Sequence, residues 1–429
     1  MLTREENERL TRVGRGTPMG ELIRRFWIPF LLETDLPEPD CPPVRVTLLA
    51  EKLVAFRDSS GRLGLIGRVC AHRCADLFFG RNEENGLRCT YHGWKYDVEG
   101  QCVDMPTEDA ESTYKNQIRL TAYPVRERAG VLWTYMGPKT HVPELPEFEW
   151  ARVPESHRFS SWSFQQNNFV QAIDGGIDTV HSVYLHSGMD SHRKLDDWQE
   201  QGRREGNPRL VHRVRTNPPK LFAKDTDFGV MIGGRYPGKG EADYWRCNVF
   251  LMPFYTMPPG APGRKICHAF VPVDDVTTAR WVFTCNLEEP LAAREVAEMR
   301  AGSSVHVELI RGTHDPLRNR SNDYLIDREA QRTLTFTGIR GIGEQDFSVQ
   351  EGMGEIVDRT REHLGTSDIG IVAMRRRLLK AAADLQEGVA PYAAFHGDVY
   401  RVRPAEVMLP SDAKWDEDER LKEAMTARW

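Results

Sequence analysis

The sequence predicts an α+β protein in two parts. The first is a β-rich N-terminal domain over residues 1–140. The second, over residues 141–429, is built on a twisted antiparallel sheet flanked by helices. Three observations carry this reading. The chain has 429 residues, more than a single hydrophobic core usually serves. Short alternating apolar runs bounded by turn residues recur in both parts. Between those runs, residues 162–186 and 367–388 carry helical patterning.

Taken in order, residues 3–26 read as helical, with charges interleaved among Leu10, Val13, Leu22 and Ile23. From Val44 the pattern shortens to strands, with Ser59-Ser60-Gly61 as a hairpin turn. YDVEGQCV is a further strand–turn–strand with Glu99-Gly100 at its tip, and RAGVLWTYMGP (128–138) closes the domain. Gly137-Pro138 and the run HVPELPEFEW form the linker, with the boundary near 140. Residues 162–186 are expected as a helix broken near Gly175-Gly176, and the polar, Arg-rich stretch 190–220 as an excursion or lid. FGVMIGGRY, DYWRCNVFLMPFYTMP, KICHAFVPV and ARWVFTCNL read as antiparallel strands. EPLAAREVAEMRAG reads as a helix, as does 367–388, whose Ile369, Val372, Leu378, Leu379 and Ala382 share a face and whose C-cap is Gly388.

Composition narrows the class. Apolar residues make up 40% and charged residues 28%, ordinary for a globular protein. A net charge of −6 gives no basic footprint for nucleic acid. The start MLTREENERL has no apolar leader and no run of 18 apolar residues exists, so a cytoplasmic protein without membrane spans is expected. Cys41, Cys102, Cys247, Cys267 and Cys285 follow no spacing and read as buried thiols in a reducing compartment.

Two boxes stand apart: Cys70-Ala71-His72 and Cys89-Thr90-Tyr91-His92. Two Cys and two His can hold structural zinc, but zinc-finger ligands come as a Cys pair and then a His pair. A mixed pair in each box suits a two-iron, two-sulfide cluster with both thiolates on one iron and both imidazoles on the other. Neutral imidazoles make such a cluster easier to reduce, with potentials of roughly −150 to +300 mV. The pattern C-x-H-x16-C-x2-H followed by Gly93-Trp94 resembles the Rieske fold. Rieske proteins of respiratory complexes add a Cys to each box and join them. Here Tyr91 precedes His92, so no such bridge forms, and Cys74 reads as a small residue packed near the cluster.

Farther on, IDGGIDTVHSVYLH places Asp178, His181 and His186 within nine residues. On an ideal helix, i and i+5 diverge by about 140°, so a kink is needed to bring both imidazoles to one ion. Two His and a carboxylate on ferrous iron leave positions open for dioxygen and substrate. The two patterns together, about 90 residues apart, resemble the large subunit of Rieske non-haem iron oxygenases, and the ending EIVDRTREHLGTSDIG is similar to the phthalate dioxygenase branch. The resemblance implies that Cys70, His72, Cys89 and His92 bind the cluster. It implies that His181, His186 and Asp358 bind the iron, although spacing does not separate Asp358 from Glu351, Glu355, Glu362 and Asp368. Asp178 is then a bridge between His181 and the His92 of a neighbouring subunit in a head-to-tail homotrimer, in some members stacked as a hexamer.

Gly338-x-x-Gly341-x-Gly343 reverses the spacing of a dinucleotide fingerprint and reads as a loop beside the active site. Electrons must therefore arrive from NAD(P)H through a separate reductase, which the resemblance makes an FMN and iron–sulfur protein. It also implies an aromatic carboxylate substrate, a phthalate or a substituted benzoate, dihydroxylated with O2 to a cis-dihydrodiol. The alternative is a Rieske monooxygenase acting on the ether of a methoxy- or phenoxybenzoate. A ferredoxin-like carrier without the second iron is a rival of another class. A carboxylate anchor favours Arg. Candidates are Arg203, Arg204, Arg209 and Arg213 in the excursion, and Arg246, which shares a strand face with Tyr244 and Asn248. Thr179 either offers its hydroxyl to substrate or bonds back within its helix.

Overall fold

The computed structural model describes residues 1–189, 195–212, 217–238, 242–260 and 263–428. It forms two compact units, Arg12–Leu145 and Met1–Thr11 together with Pro146–Trp429. The division falls a few residues past 140, and the first eleven residues group with the C-terminal unit. The helical stretch expected over 3–26 is two helices, Arg4–Thr11 and Pro18–Ile23. Gly16, at φ +82°, turns the chain between them. Thr17 then caps the second helix by accepting from the Gly20 amide, with Pro18 in its first turn.

The Arg12–Leu145 unit holds ten short strands: β1 Trp27–Leu32, β2 Val44–Leu48, β3 Glu51–Arg57, β4 Leu63–Gly67, β5 Arg81–Glu83, β6 Gly86–Arg88, β7 Lys95–Tyr96, β8 Cys102–Asp104, β9 Val125–Arg128 and β10 Val131–Tyr135. They make three antiparallel sheets, β1-β10-β9, β2-β3-β4 and β5-β6-β7-β8. The expected hairpin at Ser59-Ser60-Gly61 joins β3 to β4; Gly61 sits at φ +80°, and Asp58 accepts from the Ser60 and Arg62 amides. Val54, Phe56, Ile66, Leu77, Leu87 and Trp94 form a buried cluster that also encloses Cys70 and Cys89.

The C-terminal unit is an eight-stranded antiparallel sheet: β11 Arg158–Gln165, β12 Lys220–Thr226, β13 Gly229–Tyr236, β14 Ala242–Leu251, β15 Tyr255–Met257, β16 Arg264–Pro272, β17 Thr278–Asn286 and β18 Ala405–Pro410. Its order is β11-β17-β16-β15-β14-β13-β12, with β18 paired to β14. Trp150 stacks on Phe283 at 4.0 Å and Trp162 on Trp281 at 5.7 Å, all four buried. The long helix Ile369–Gln386 packs on β12 and β13, and Phe169–Ile177 on β14, β15 and β16.

Two expectations for 162–186 are corrected. Residues 162–165 are strand, because β11 pairs with β17 along its whole length and period-two pairing overrides any helical reading. The helix that follows runs unbroken through Gly175 and Gly176 and stops at Ile177. The glycines serve close packing. A Cβ on Gly175 would lie 2.1 Å from Gln350 Nε2, and one on Gly176 would lie 2.7 Å from Phe270 and Thr256. Among the described residues, no helix is long and apolar enough to cross a membrane.

Candidate metal centres

The two Cys–His boxes form matching loops. The first follows β4; the second joins β6 to β7. Each loop closes by a backbone bond onto its Cys carbonyl from the residue four positions on, Cys74 N to Cys70 O at 3.0 Å and Gly93 N to Cys89 O at 2.9 Å. Both closing residues are left-handed, at φ +58° and +78°. Cys74 is therefore a loop-closing residue with an exposed thiol, not one packed near a cluster. Cys70 and Cys89 are buried, whereas His72 and His92 are only half-buried, so the soft ligands point inward and the imidazoles outward. The imidazole rings meet edge to face at 4.4 Å, and Trp94 stacks on His72 at 4.6 Å. His72 Nδ1 is buried without a hydrogen-bond partner. A buried, unpaired ring nitrogen beside two buried thiols is the donor set an iron–sulfur cluster requires. The Tyr96 hydroxyl sits 3.2 Å from Cys70 Sγ and accepts from the Ala71 amide. A hydroxyl there can donate to a cluster thiolate, one of the levers on its potential. All eight cysteines are free, and the five scattered ones are buried as expected.

In the C-terminal unit, the chain leaves the Phe169–Ile177 helix at Asp178, which is extended at φ −66°, ψ 121°. Asp178 Oδ1 accepts from the Val180 amide at 2.7 Å and from the His181 amide at 3.4 Å, starting a tight turn over His181–Val183. This is the kink that the His spacing demands. It brings His181 Nε2 within 3.1 Å of His186 Nε2. The third member is Asp346, whose Oδ1 lies 3.6 Å from His181 Nε2 and 3.3 Å from His186 Nε2. The three groups converge closely enough to hold one ion.

The proton positions decide whether a metal fits. Gln345 Nε2 donates to Ile339 O at 2.8 Å, which turns Gln345 Oε1 toward His186 Nδ1 at 2.7 Å. That oxygen requires the proton on Nδ1 and leaves Nε2 with its lone pair. His181 Nδ1 faces Asp178 Oδ2 at 3.4 Å, with the same consequence. Two lone pairs and a carboxylate oxygen thus face one point, an arrangement that a cation satisfies. Burial opposes the charge of Asp346, but His186, His181 and Arg280 hold its carboxyl below the ordinary value. Burial likewise opposes that of Asp178, and His181 and the two amides outweigh it.

The carboxylate at this point is Asp346, not Asp358. Asp358 is exposed and accepts from the Thr360 amide and hydroxyl. Its neighbour Arg359 turns inward to Asp174, so Asp358 must turn out. The rivals are also occupied elsewhere. Glu351 accepts from the Gln166 amide and bonds Tyr324, Glu362 pairs with Arg375, Asp368 accepts from the Gly365 amide, and Glu355 is exposed. Asp346 lies 160 residues past His186 on the helix Ile342–Gly352, directly after Gln345. The only local cue was a carboxylate beside the glycine-bounded turn at 338–343.

The candidate substrate residues sort clearly. Arg203 and Arg204 are exposed and pair with Glu200, and Arg213 lies outside the described residues. Thr179 is buried and donates to Asn248 Oδ1 at 3.2 Å, so its hydroxyl is committed to β14 instead of its own helix or a ligand. Arg246 does point inward on the Asn248 face, only 5% exposed, and its Nη1 donates to Glu406 at 2.5 Å. Arg209 Nε bonds the same carboxylate at 2.7 Å. Glu406 sits opposite Arg246 across the β14–β18 pair, a partner 160 residues away that no local pattern in the sequence signals.

One β-rich unit with a Cys₂His₂ loop pair and one sheet-and-helix unit with two imidazoles and a carboxylate define a protein of two iron centres. Residues 26–124 match the Rieske [2Fe-2S] domain, and residues 134–426 match the family described as LigXa C-terminal domain like. The chain is 38% identical to the 3-chlorobenzoate-3,4-dioxygenase oxygenase subunit of Comamonas testosteroni, with 97% of each chain covered. It is 37% identical to the phthalate 4,5-dioxygenase oxygenase subunit of Pseudomonas putida, covering 90% of this chain and 88% of that one. With the 5,5'-dehydrodivanillate O-demethylase oxygenase subunit of Sphingobium sp. it shares 32% identity, covering 92% and 83%. Its fold matches that of NdmA of Pseudomonas putida CBB5 with theobromine at TM-score 0.60 and 18% identity, over 92% of this chain and 99% of that one. The chain belongs to the Rieske non-haem iron oxygenases and is an oxygenase subunit. It carries a Rieske [2Fe-2S] cluster and a mononuclear iron, and it uses dioxygen.

Proposed function

We propose that this chain is the terminal oxygenase that adds both atoms of dioxygen to the ring of an aromatic carboxylate, a substituted benzoate or a phthalate, giving a cis-dihydrodiol. Cys70, His72, Cys89 and His92 hold the cluster, and His181, His186 and Asp346 hold the iron. When bound, each centre supplies one of the two electrons that dioxygen activation needs. The residues around them position and insulate. Gln345 and Asp178 fix the tautomers of His186 and His181. Asp178 also offers a carboxylate to the His92 of a neighbouring copy in a head-to-tail trimer, with or without stacking to a hexamer. A reductase carrying FMN and an iron–sulfur cluster delivers electrons from NAD(P)H.

The observation that carries the substrate class is the place of Arg246. It is two residues along β14 from Asn248, which holds Thr179 beside Asp178. Two residues of antiparallel strand span about 7 Å, comparable to the length of a benzoate. A carboxylate anchored at Arg246 would lie on the strand face whose Asn248 holds Thr179, two residues before His181, which supports the reading. Two of the relatives are named for carboxylated aromatic substrates, which agrees. The O-demethylase relative favours a second reading, removal of a methyl group from a methoxybenzoate at the same centre. Turnover under ¹⁸O₂ decides. The proposal expects both labelled atoms in one diol; a single label with release of formaldehyde establishes the second reading instead.

A further inference from the structure

The stretch EIVDRTREHLG (355–365) supplies nothing, among the described residues, to the His181–His186–Asp346 point. Its bonds run instead to the helix Phe169–Ile177, which leads into Asp178 and His181. Three of its residues, two apart in sequence, meet that helix and its cap at every third position. The Glu355 carbonyl accepts from the Asn168 amide at 2.8 Å. The Val357 amide donates to Gln171 Oε1 at 2.8 Å, and Arg359 Nη2 donates to Asp174 Oδ2 at 3.2 Å. Positions three apart share one face of a helix, so the segment is bonded along that face. Asn7 braces it. Its Oδ1 accepts from Arg359 Nη1 at 3.0 Å, and its Nδ2 donates to the Val357 carbonyl at 3.1 Å. Arg375 completes the network, donating to Asp174 through Nε at 3.0 Å and Nη2 at 2.6 Å, and to Glu362 through Nη1 at 2.6 Å and Nη2 at 3.0 Å. Two guanidiniums thus face two carboxylates, with Arg359 and Arg375 both buried. Removing one member of such a set leaves a buried charge unmatched.

We infer that Asp174 and Arg359 are positioning residues for the mononuclear iron: the segment 355–362 fixes the helix Phe169–Ile177 and so sets where Asp178 and His181 stand relative to Asp346. This rests on the reading of His181, His186 and Asp346 as the iron ligands and deepens it. Asp174 is the hub. Its carboxylate is held by Arg359 and Arg375, and its carbonyl accepts the Asp178 amide at 3.2 Å. Asp178 then holds the His181 amide and faces its Nδ1. A cavity of about 200 Å³ is lined by Asp174, Glu362 and Arg375 as well as by Asp178, His181 and Asp346, so the network borders the metal point directly. The same helix is tied to the element that bears Asp346. Gln171 Nε2 donates to the carbonyls of Gln350 and Gly354, at 3.1 and 2.9 Å, where the helix Ile342–Gly352 ends. Ligands drawn from two elements 160 residues apart must be held to within about 0.5 Å for one ion to satisfy them. Bonds at Asn168, Gln171 and Asp174 supply that constraint.

The test is the affinity of the full chain, with its cluster in place, for Fe(II), measured by chelator competition in Asp174→Asn and Arg359→Met. The expected result is a fall of at least about tenfold in each, with the cluster absorption retained. The ferrous–nitric oxide signal in electron paramagnetic resonance is expected to change shape as well. Phe283→Leu, which loosens the stack on Trp150 and leaves the segment alone, controls for stability. Unchanged affinity in the folded variants, or a fall no larger than the control shows at an equal thermal midpoint, overturns the inference. Hydrogen exchange of the wild-type chain with and without Fe(II) needs no variant, and coupling between metal and segment must be reciprocal. Fe(II) is expected to slow exchange in 168–178 and 355–362 together. Slowing confined to 181–186 and 342–352 overturns the positioning role and leaves the ligand reading standing. Asp346→Ala binding Fe(II) as tightly as wild type overturns the ligand reading itself.

Discussion

His181 and His186 aim their Nε2 atoms at one point because each Nδ1 is engaged behind it, by Asp178 and by Gln345. Asp346 completes that point, and Asp358 does not. Asp346→Ala is accordingly expected to lose one iron per chain while keeping the absorption of the Rieske cluster, and His181→Ala to behave the same way. Asp358→Ala is expected to retain both. Iron analysis with the visible spectrum measures this, and loss of the mononuclear iron in Asp358→Ala with retention in Asp346→Ala would return the ligand role to Asp358. The same comparison marks what the sequence displayed at this scale. The Cys–His boxes are legible because each pair of proposed ligands lies within four residues on one loop. His181 and His186 are legible because one turn of backbone joins them. Asp346 is separated from them by six strands of the sheet, and only the packed fold reveals which of several carboxylates faces inward.

At the scale of elements, the helix Phe169–Ile177 positions the proposed iron site, and its glycines are the reason it can approach the sheet. Gly176→Ala places a methyl 2.7 Å from the Phe270 ring and the Thr256 hydroxyl. Overpacking of this kind costs about 1–3 kcal/mol. The expected outcome is a lower urea midpoint together with reduced mononuclear iron, because Asp178 and His181 follow directly. A midpoint equal to wild type would mean that helix and sheet are not in close contact there. Reading Gly-Gly as a helix break failed because low propensity was outweighed by packing. The strand β11 was misread for a related reason, since Trp162 and Phe164 suit either period until β17 supplies the partner. The long helix at 367–388 was legible within two residues at each end, because Met374, Leu378 and Ala382 recur at helical spacing on its buried face and a glycine at φ +87° follows it, although that face also carries Arg375 and leaves Ile369 exposed. The excursion contains, among its described residues, the helices Leu195–Arg204 and Pro208–His212. Its polar, weakly periodic sequence did not announce that Arg209 turns inward while Arg203 and Arg204 stay in solvent.

At the scale of the whole molecule, stability and electron flow are the properties that no single site fixes. The C-terminal unit encloses His306, which bonds Ser161 of β11 at 2.7 Å and Thr284 of β17 at 2.9 Å. Burial, then Arg280, lower its pKa from 6.5 to about 3. Between those values the unfolded chain takes up a proton that the folded chain refuses, so stability is lost as pH falls below 6.5. One such group removes about 2 kcal/mol between pH 7 and 5, and His306→Gln is expected to lose that much less over the same range in chemical denaturation. An identical acid dependence in the variant would show that His306 is not the group responsible. Electron flow gives the sharper test of the proposed trimer. If Asp178 of one copy meets the cluster of the next, His181→Ala chains still store an electron, and Cys89→Ser chains still hold a working iron. Each variant alone is inactive, but trimers assembled from equal parts of both contain productive neighbours. Random mixing in a head-to-tail ring makes about a quarter of the contacts productive. Activity near that fraction of wild type is therefore expected after co-expression of equal parts, with the parental homotrimers left in the mixture. A mixture as inactive as its parents would mean that both centres must lie in one chain, and the neighbour-to-neighbour path through Asp178 would have to be abandoned.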